Sequence, residues 1–224
     1  MTGDRALHLM RDVADGQLMS TDGRRLGRVA DLAAALQPDG TLEITALVLG
    51  PAALARRVSN ATGRLASSIG ARRYERVVPI TEVKDFGPTL QLRSEAYRYD
   101  VADGDEWARE ILRFIPGSAW ASRQPRAKRG QLPALGGGRR VWIATLIGSR
   151  VRDASGESLG PLVELRCTRR PPHRVTTLLM GRTGWLDRLK AARLATVIGV
   201  HDEPETIPWE RVAHVGRNGE ITLR

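Results

Sequence analysis

Only one cysteine, Cys167, occurs in the 224 residues. That excludes an internal disulfide and any zinc site built on several cysteines. Aromatic residues are scarce, at 4% of the chain, and none interleaves with the basic run described below, as base stacking would require. Lysine is nearly missing: Lys84, Lys128 and Lys190 are the only three, so 32 of the 35 basic residues are arginine. A GC-rich coding bias is the simplest source of that excess. No stretch approaches the roughly 18 uncharged apolar residues of a membrane span, so no transmembrane helix is expected. The start of the chain carries Asp4, Arg5 and Arg11 around a very short apolar patch, which is not the apolar core of a secretory signal. The expectation is a cytoplasmic protein, with a peripheral position at the membrane as the variant.

The nucleophile elbow G-x-S-x-G, the H-E-x-x-H helix and the P-loop are also missing. The four histidines, His8, His173, His201 and His214, are scattered. His201 stands beside Asp202 and Glu203, a trio that can take a divalent cation, although a solvated loop accounts for it as well. Cys167 lies between Arg166 and Arg169-Arg170. Those charges would lower its pKa if it were accessible; a buried strand cysteine is the competing reading. Gly136-Gly137-Gly138 precedes a strand and follows none, so it reads as linker and not as a phosphate loop. No catalytic residue, metal or cofactor is assigned, and the chain is not expected to be an enzyme.

What the sequence does have is ordinary globular material and a strong positive charge. Apolar residues make up 42% and charged residues 27%, enough to bury a core. The net charge of +10 attracts nucleic acid, anionic lipid or an acidic protein at long range. Residues 100–140 are polarised. Asp100, Asp103, Asp105, Glu106 and Glu110 come first; Arg123, Arg126, Lys128, Arg129, Arg139 and Arg140 follow among prolines, glycines and serines. This is the composition of a flexible linker.

The chain also repeats itself. Gly23-Arg24-Arg25-Leu26-Gly27 and the following Asp31-Leu32 match Gly156-Glu157-Ser158-Leu159-Gly160 and Glu164-Leu165. Ile44–Gly50 matches Val175–Gly181. Val78-Pro79-Ile80 with Val83 matches Ile207-Pro208-Trp209 with Val212. Thr89–Leu92 matches Glu220–Leu223. Four blocks recurring in order indicate a duplication. They divide the chain into a first unit at 12–95, a helix and basic linker at 96–140, and a second unit at 141–224.

Each unit reads as β. Asp22-Gly23 and Ser155-Gly156 are tight-turn dipeptides. Gly27 and Gly160, inside the returning strands, mark a bulge or sharp bend. Leu42–Leu49 and Val175–Met180 are nearly continuous apolar strands, expected to be covered on both faces or closed in a barrel. Pro79 and Pro208 place the next strands at an edge or corner. Short strands with regular Gly/Pro punctuation suggest two small barrels. Amphipathic helices are expected at 51–69 and 185–195, and a third at 103–115, with Trp107, Ile111, Phe114 and Ile115 on one face and Pro116-Gly117 as its stop.

The G-x-x-L-G block with its following acid, the I-T-A-L-V-L strand and the V-P-I or I-P-W turn together resemble the PRC-barrel superfamily. That family is named for the cytoplasmic domain of the third subunit of the photosynthetic reaction centre. It also includes the C-terminal domain of a bacterial ribosome-maturation factor. The resemblance covers about 12–95 and 141–224, and the tandem arrangement with an inserted segment at 51–69 departs from single-barrel members. It implies a non-catalytic adaptor that binds a protein partner. Trp142, Trp185 and Trp209 are the candidate anchors, because large aromatics dominate interface energetics; core packing competes for Trp209. The alternative is an RNA- or ribosome-associated factor using Arg123, Arg126, Lys128, Arg129, Arg139, Arg140, Arg169 and Arg170, helped by Arg72-Arg73, to neutralise phosphates. A peripheral membrane scaffold resting on the basic helices is the second alternative.

Overall fold

A computed structural model describes residues 6–50, 76–99, 132–135, 137–181 and 205–224. The segments expected as helices at 51–69, 103–115 and 185–195 lie outside the described residues, as do His201 and most of the basic linker. The described chain is mainly β.

In the first half, β1 (Leu7–His8) leads into one helical turn, Leu9–Val13. There follow β2 (Gln17–Met19), β3 (Arg25–Arg28), β4 (Asp31–Leu36), β5 (Leu42–Leu49), β6 (Arg76–Pro79), β7 (Val83–Phe86) and β8 (Thr89–Leu92). In the second half, β9 (Arg139–Trp142) leads into the turn Ile143–Leu146. Then come β10 (Arg150–Arg152), β11 (Ser158–Cys167), β12 (Val175–Met180), β13 (Glu205–Pro208), β14 (Val212–Val215) and β15 (Ile221–Leu223).

Every sequence match reappears as matched strand register. Leu18 pairs with Gly27 and, in parallel, with Leu90; Val151 pairs with Gly160 and Ile221. Leu47 stands between Leu32 and Val78, as Leu178 stands between Leu165 and Ile207. Gly27 and Gly160 have φ of 126° and 128°, a backbone open to little but glycine. At these points the returning strand changes direction and partner. In the first half the change splits the pairing into two four-stranded sheets, β3-β2-β8-β7 and β6-β5-β4-β9. In the second half, β11 runs through the bend unbroken. It joins one seven-stranded sheet, β13-β12-β11-β10-β15-β14, with β1 also on β11. Among the described residues no sheet closes on itself. Pro79 and Pro208 sit on the edge strands β6 and β13, where a missing N–H costs no ladder bond. A one-turn 3-10 helix follows each, at Ile80–Glu82 and Trp209–Arg211.

The leading strands cross between halves. β1 pairs with β11, Leu7 opposite Cys167 and His8 opposite Arg166. β9 pairs with β4, Val141 opposite Ala34 and Trp142 opposite Ala33. These are the same pairs with the roles of the halves exchanged. Such reciprocity is the mark of two subunits related by a twofold, realised here within one chain. One buried cluster accordingly contains Leu7, Leu9, Leu32 and Leu47 together with Ile143, Leu165, Leu178 and Trp209.

Candidate functional site

The crossing of the leading strands is secured by the acids of the repeated motif. Glu164 lies on β11. Its Oε1 accepts the amides of Met10 at 2.8 Å and Leu165 at 2.9 Å, and its Oε2 accepts that of Arg11 at 3.1 Å. Asp31 lies at the matching place on β4. Its Oδ1 accepts the amides of Leu32 at 2.7 Å and Ala144 at 3.0 Å. Each acid therefore caps the helical turn of the opposite half. Charge-assisted bonds to the orphan amides of a helical turn are the stronger kind.

Burial pushes the Glu164 carboxyl above its usual range, against the opposing pull of its three amides. His8 stands nearby, Nδ1 3.9 Å from Glu164 Oε2. Burial lowers its pKa, with Arg11 and Arg166 adding to the effect. Sequence reasoning saw these two acids as a repeated pattern and gave them no task.

The tryptophans divide. Trp209 is 5% exposed, and its Nε1 donates to the Gly40 carbonyl at 2.9 Å, at the tip of the β4–β5 hairpin. Its ring belongs to the interior where the halves meet, so it offers no exposed anchor. Trp142 is half-buried on β9, packed against a small cluster of Ala30, Ala33, Ala46 and Val48 with Leu132 beside it. Trp185 lies outside the described residues.

The basic residues divide as well. Arg123, Arg126, Lys128, Arg129 and Arg72-Arg73 lie outside the described residues. Arg139 donates to the Val215 carbonyl at 2.6 Å and Arg140 to that of Pro133 at 2.9 Å. Arg169 donates to the Phe86 carbonyl and meets Asp85 Oδ1 at 3.4 Å. Of these four, Arg170 alone is exposed. The three bonded arginines hold the chain's own backbone and do not form a common face with free guanidinium groups.

Cys167 is buried on β11 opposite Leu7 of β1, and burial pushes its thiol pKa up to about 12. Arg166 and Arg169 do not activate it. His173 is also buried. Its Nδ1 lies 3.1 Å from the Thr168 carbonyl, and its ring meets Phe86 edge-on at 5.3 Å, which ties the β11–β12 hairpin to the first half. Among the described residues no three His, Cys, Asp or Glu side chains gather as a metal site. An open polar groove of about 390 Å³ lies between Thr145, Ser149, Arg150, Arg152, Asn218 and Glu220. No helix among the described residues is long and apolar enough to cross a membrane.

After β8, residues 94–99 fold back over the Asp22-Gly23 turn. The Thr21 amide donates to the Ser94 carbonyl at 3.2 Å and the Ala96 amide to Asp22 Oδ1 at 3.1 Å. Tyr99 donates its hydroxyl to Glu82 Oε2 at 2.8 Å and accepts the Ser94 amide at 3.1 Å. Ala96 and Tyr99 are buried. The sequence signalled this strap only as Ala and Tyr just beyond the last matched block.

No protein-family model matches the chain, and no curated protein matches it.

Proposed function

We propose that the protein is a non-catalytic adaptor, built from two PRC-barrel-like units fused in tandem, that binds a protein partner. One observation carries the reading: the described side chains with most scope for chemistry are committed to holding the halves together. Asp31 and Glu164 cap helical turns, His173 anchors a hairpin, and Cys167 lies buried opposite Leu7 of β1 with a raised pKa. Matched register across the two halves, with a sharp glycine bend in each, supports the unit assignment. The internal bonds of Arg139, Arg140 and Arg169 weigh against the RNA- or ribosome-associated alternative.

The test is affinity capture of the tagged full chain from lysate at about physiological salt, with and without nuclease. The adaptor reading expects a defined protein that survives nuclease. Capture that consists of RNA or ribosomes and vanishes with nuclease contradicts it.

A further inference from the structure

The polar groove of the second half lies between β10, the turn Ile143–Leu146 and the β14–β15 hairpin. The first half carries a matched framework, which shows what the fold itself requires at this place. Leu18 of β2 pairs in parallel with Leu90 of β8, as Val151 of β10 pairs with Ile221 of β15. All four side chains are buried. The residues just before them therefore stand side by side on the opposite face of the sheet. In the first half that pair is Gln17 and Thr89, both uncharged. Gln17 spends its amide on its own hairpin, donating to the carbonyls of Gly27 at 2.8 Å and Leu18 at 3.2 Å. In the second half the pair is Arg150 and Glu220, and both are exposed.

These charges hold nothing of the fold. Among the described residues, none bonds or pairs with the Arg150 guanidinium or the Glu220 carboxylate, and the two do not pair with each other. Arg152 stands where the first half has Met19; its Nη1 donates to the Gly156 carbonyl at 2.9 Å, which fixes a second guanidinium beside the groove. The hairpin differs too. Gly87-Pro88 joins β7 to Thr89, whereas the longer run Gly216-Arg217-Asn218-Gly219 joins β14 to Glu220. Gly219 has a φ of 87°, and a Cβ there would overlap the Thr145 carbonyl oxygen. This close approach, open only to glycine, seats the hairpin on the turn and brings Asn218 and Thr145 to the same groove.

We propose that the groove binds a small zwitterion of the amino-acid type, with its carboxylate on Arg150 and its ammonium group on Glu220. Asn218 and Thr145 supply neutral hydrogen-bonding groups on the same wall. A guanidinium takes a carboxylate in a strong charge-assisted bond, and the neighbouring carboxylate takes the ammonium. A purely anionic or purely cationic ligand meets a like charge at one end, which costs affinity. The volume of about 390 Å³ lies at the small end of ligand sites. The proposal goes beyond the adaptor reading and does not depend on it.

The test uses the full chain and the standard L-amino acids, screened by saturation-transfer NMR at about 1 mM each, a level that reveals weak binding. The tightest binder is then compared, by calorimetry, with its decarboxylated amine and its deaminated acid. Each analogue should bind about tenfold or more weakly, the worth of one good charge pair. Arg150→Gln should remove the amino acid's advantage over the amine, and Glu220→Gln its advantage over the acid. Both side chains are exposed, so both variants should keep the unfolding midpoint of the parent. No binding by any amino acid overturns the proposal. So does an analogue that binds as tightly as the amino acid, or binding indifferent to both variants.

Discussion

Asp31 shows how a single side chain can hold two halves of a molecule. It is 2% exposed, and one of its oxygens takes the amides of both its neighbour Leu32 and the distant Ala144. Asp31→Ala leaves two amides without that acceptor, a loss expected to cost about 2–4 kcal/mol in urea unfolding of the full chain. Glu164 carries the same task with a different pH signature. Its carboxyl pKa is raised above the unfolded value, near 4.5, chiefly by burial. The ionised form therefore costs stability at neutral pH, and that cost disappears as pH falls through the raised value towards the unfolded one. His8, 3.9 Å from Glu164, has its pKa lowered by burial and by Arg11 and Arg166, with Asp12 opposing, so its own protonation costs stability on acidification in wild type and variant alike. The stability difference between wild type and Glu164→Gln should thus shift in favour of wild type on acidification, read from denaturant unfolding at a series of pH values. A shift in the opposite direction would contradict the assignment. The acids themselves were legible as a repeated motif. Their role was not, because the amides they take lie 154 and 113 residues away in sequence.

At the scale of elements, local rules carried a long way. The strands Leu42–Leu49 and Val175–Met180 coincide with their apolar runs, and the edge positions of Pro79 and Pro208 follow from a missing donor. Of the two leading strands, β9 follows the glycine run as expected, whereas β1 escaped notice. β1 is only two residues long, and the pairing that makes it a strand is with the far half of the chain. The two leading turns themselves differ in length by one residue. In the first turn the Ala14 amide reaches back five residues to Leu9, and in the second the Ile147 amide reaches back four to Ile143. The wider turn absorbs the extra residue. The paired glycines offer a clean comparison. Gly27→Ala and Gly160→Ala both force a side chain into a φ near 127°, at an expected cost of about 1–3 kcal/mol. At Gly27 the new Cβ also comes within 3.0 Å of Leu49 Cδ2, whereas at Gly160 the nearest atom, the Gly181 carbonyl oxygen, is 3.9 Å away. Thermal unfolding should therefore rank Gly27→Ala as the more damaging of the two.

On the scale of the whole molecule, the halves are not beads on a string. Each contributes a strand to the other's sheet, an acid caps each leading turn, and Trp209 and His173 bind hairpin to core across the same boundary. The sequence made the duplication visible but suggested two self-contained units. Reciprocal exchange between them leaves no periodicity or composition to read. If the exchange holds the molecule together, the covalent linker is not required for the assembly. The most direct test is to place a specific protease site in the linker, between residues 118 and 130, and to cut the folded protein. The account predicts that the two fragments elute together under native conditions and unfold in one transition whose midpoint falls on dilution, as for any obligate pair. Fragments that separate on cutting, each keeping its own folded transition, would contradict it.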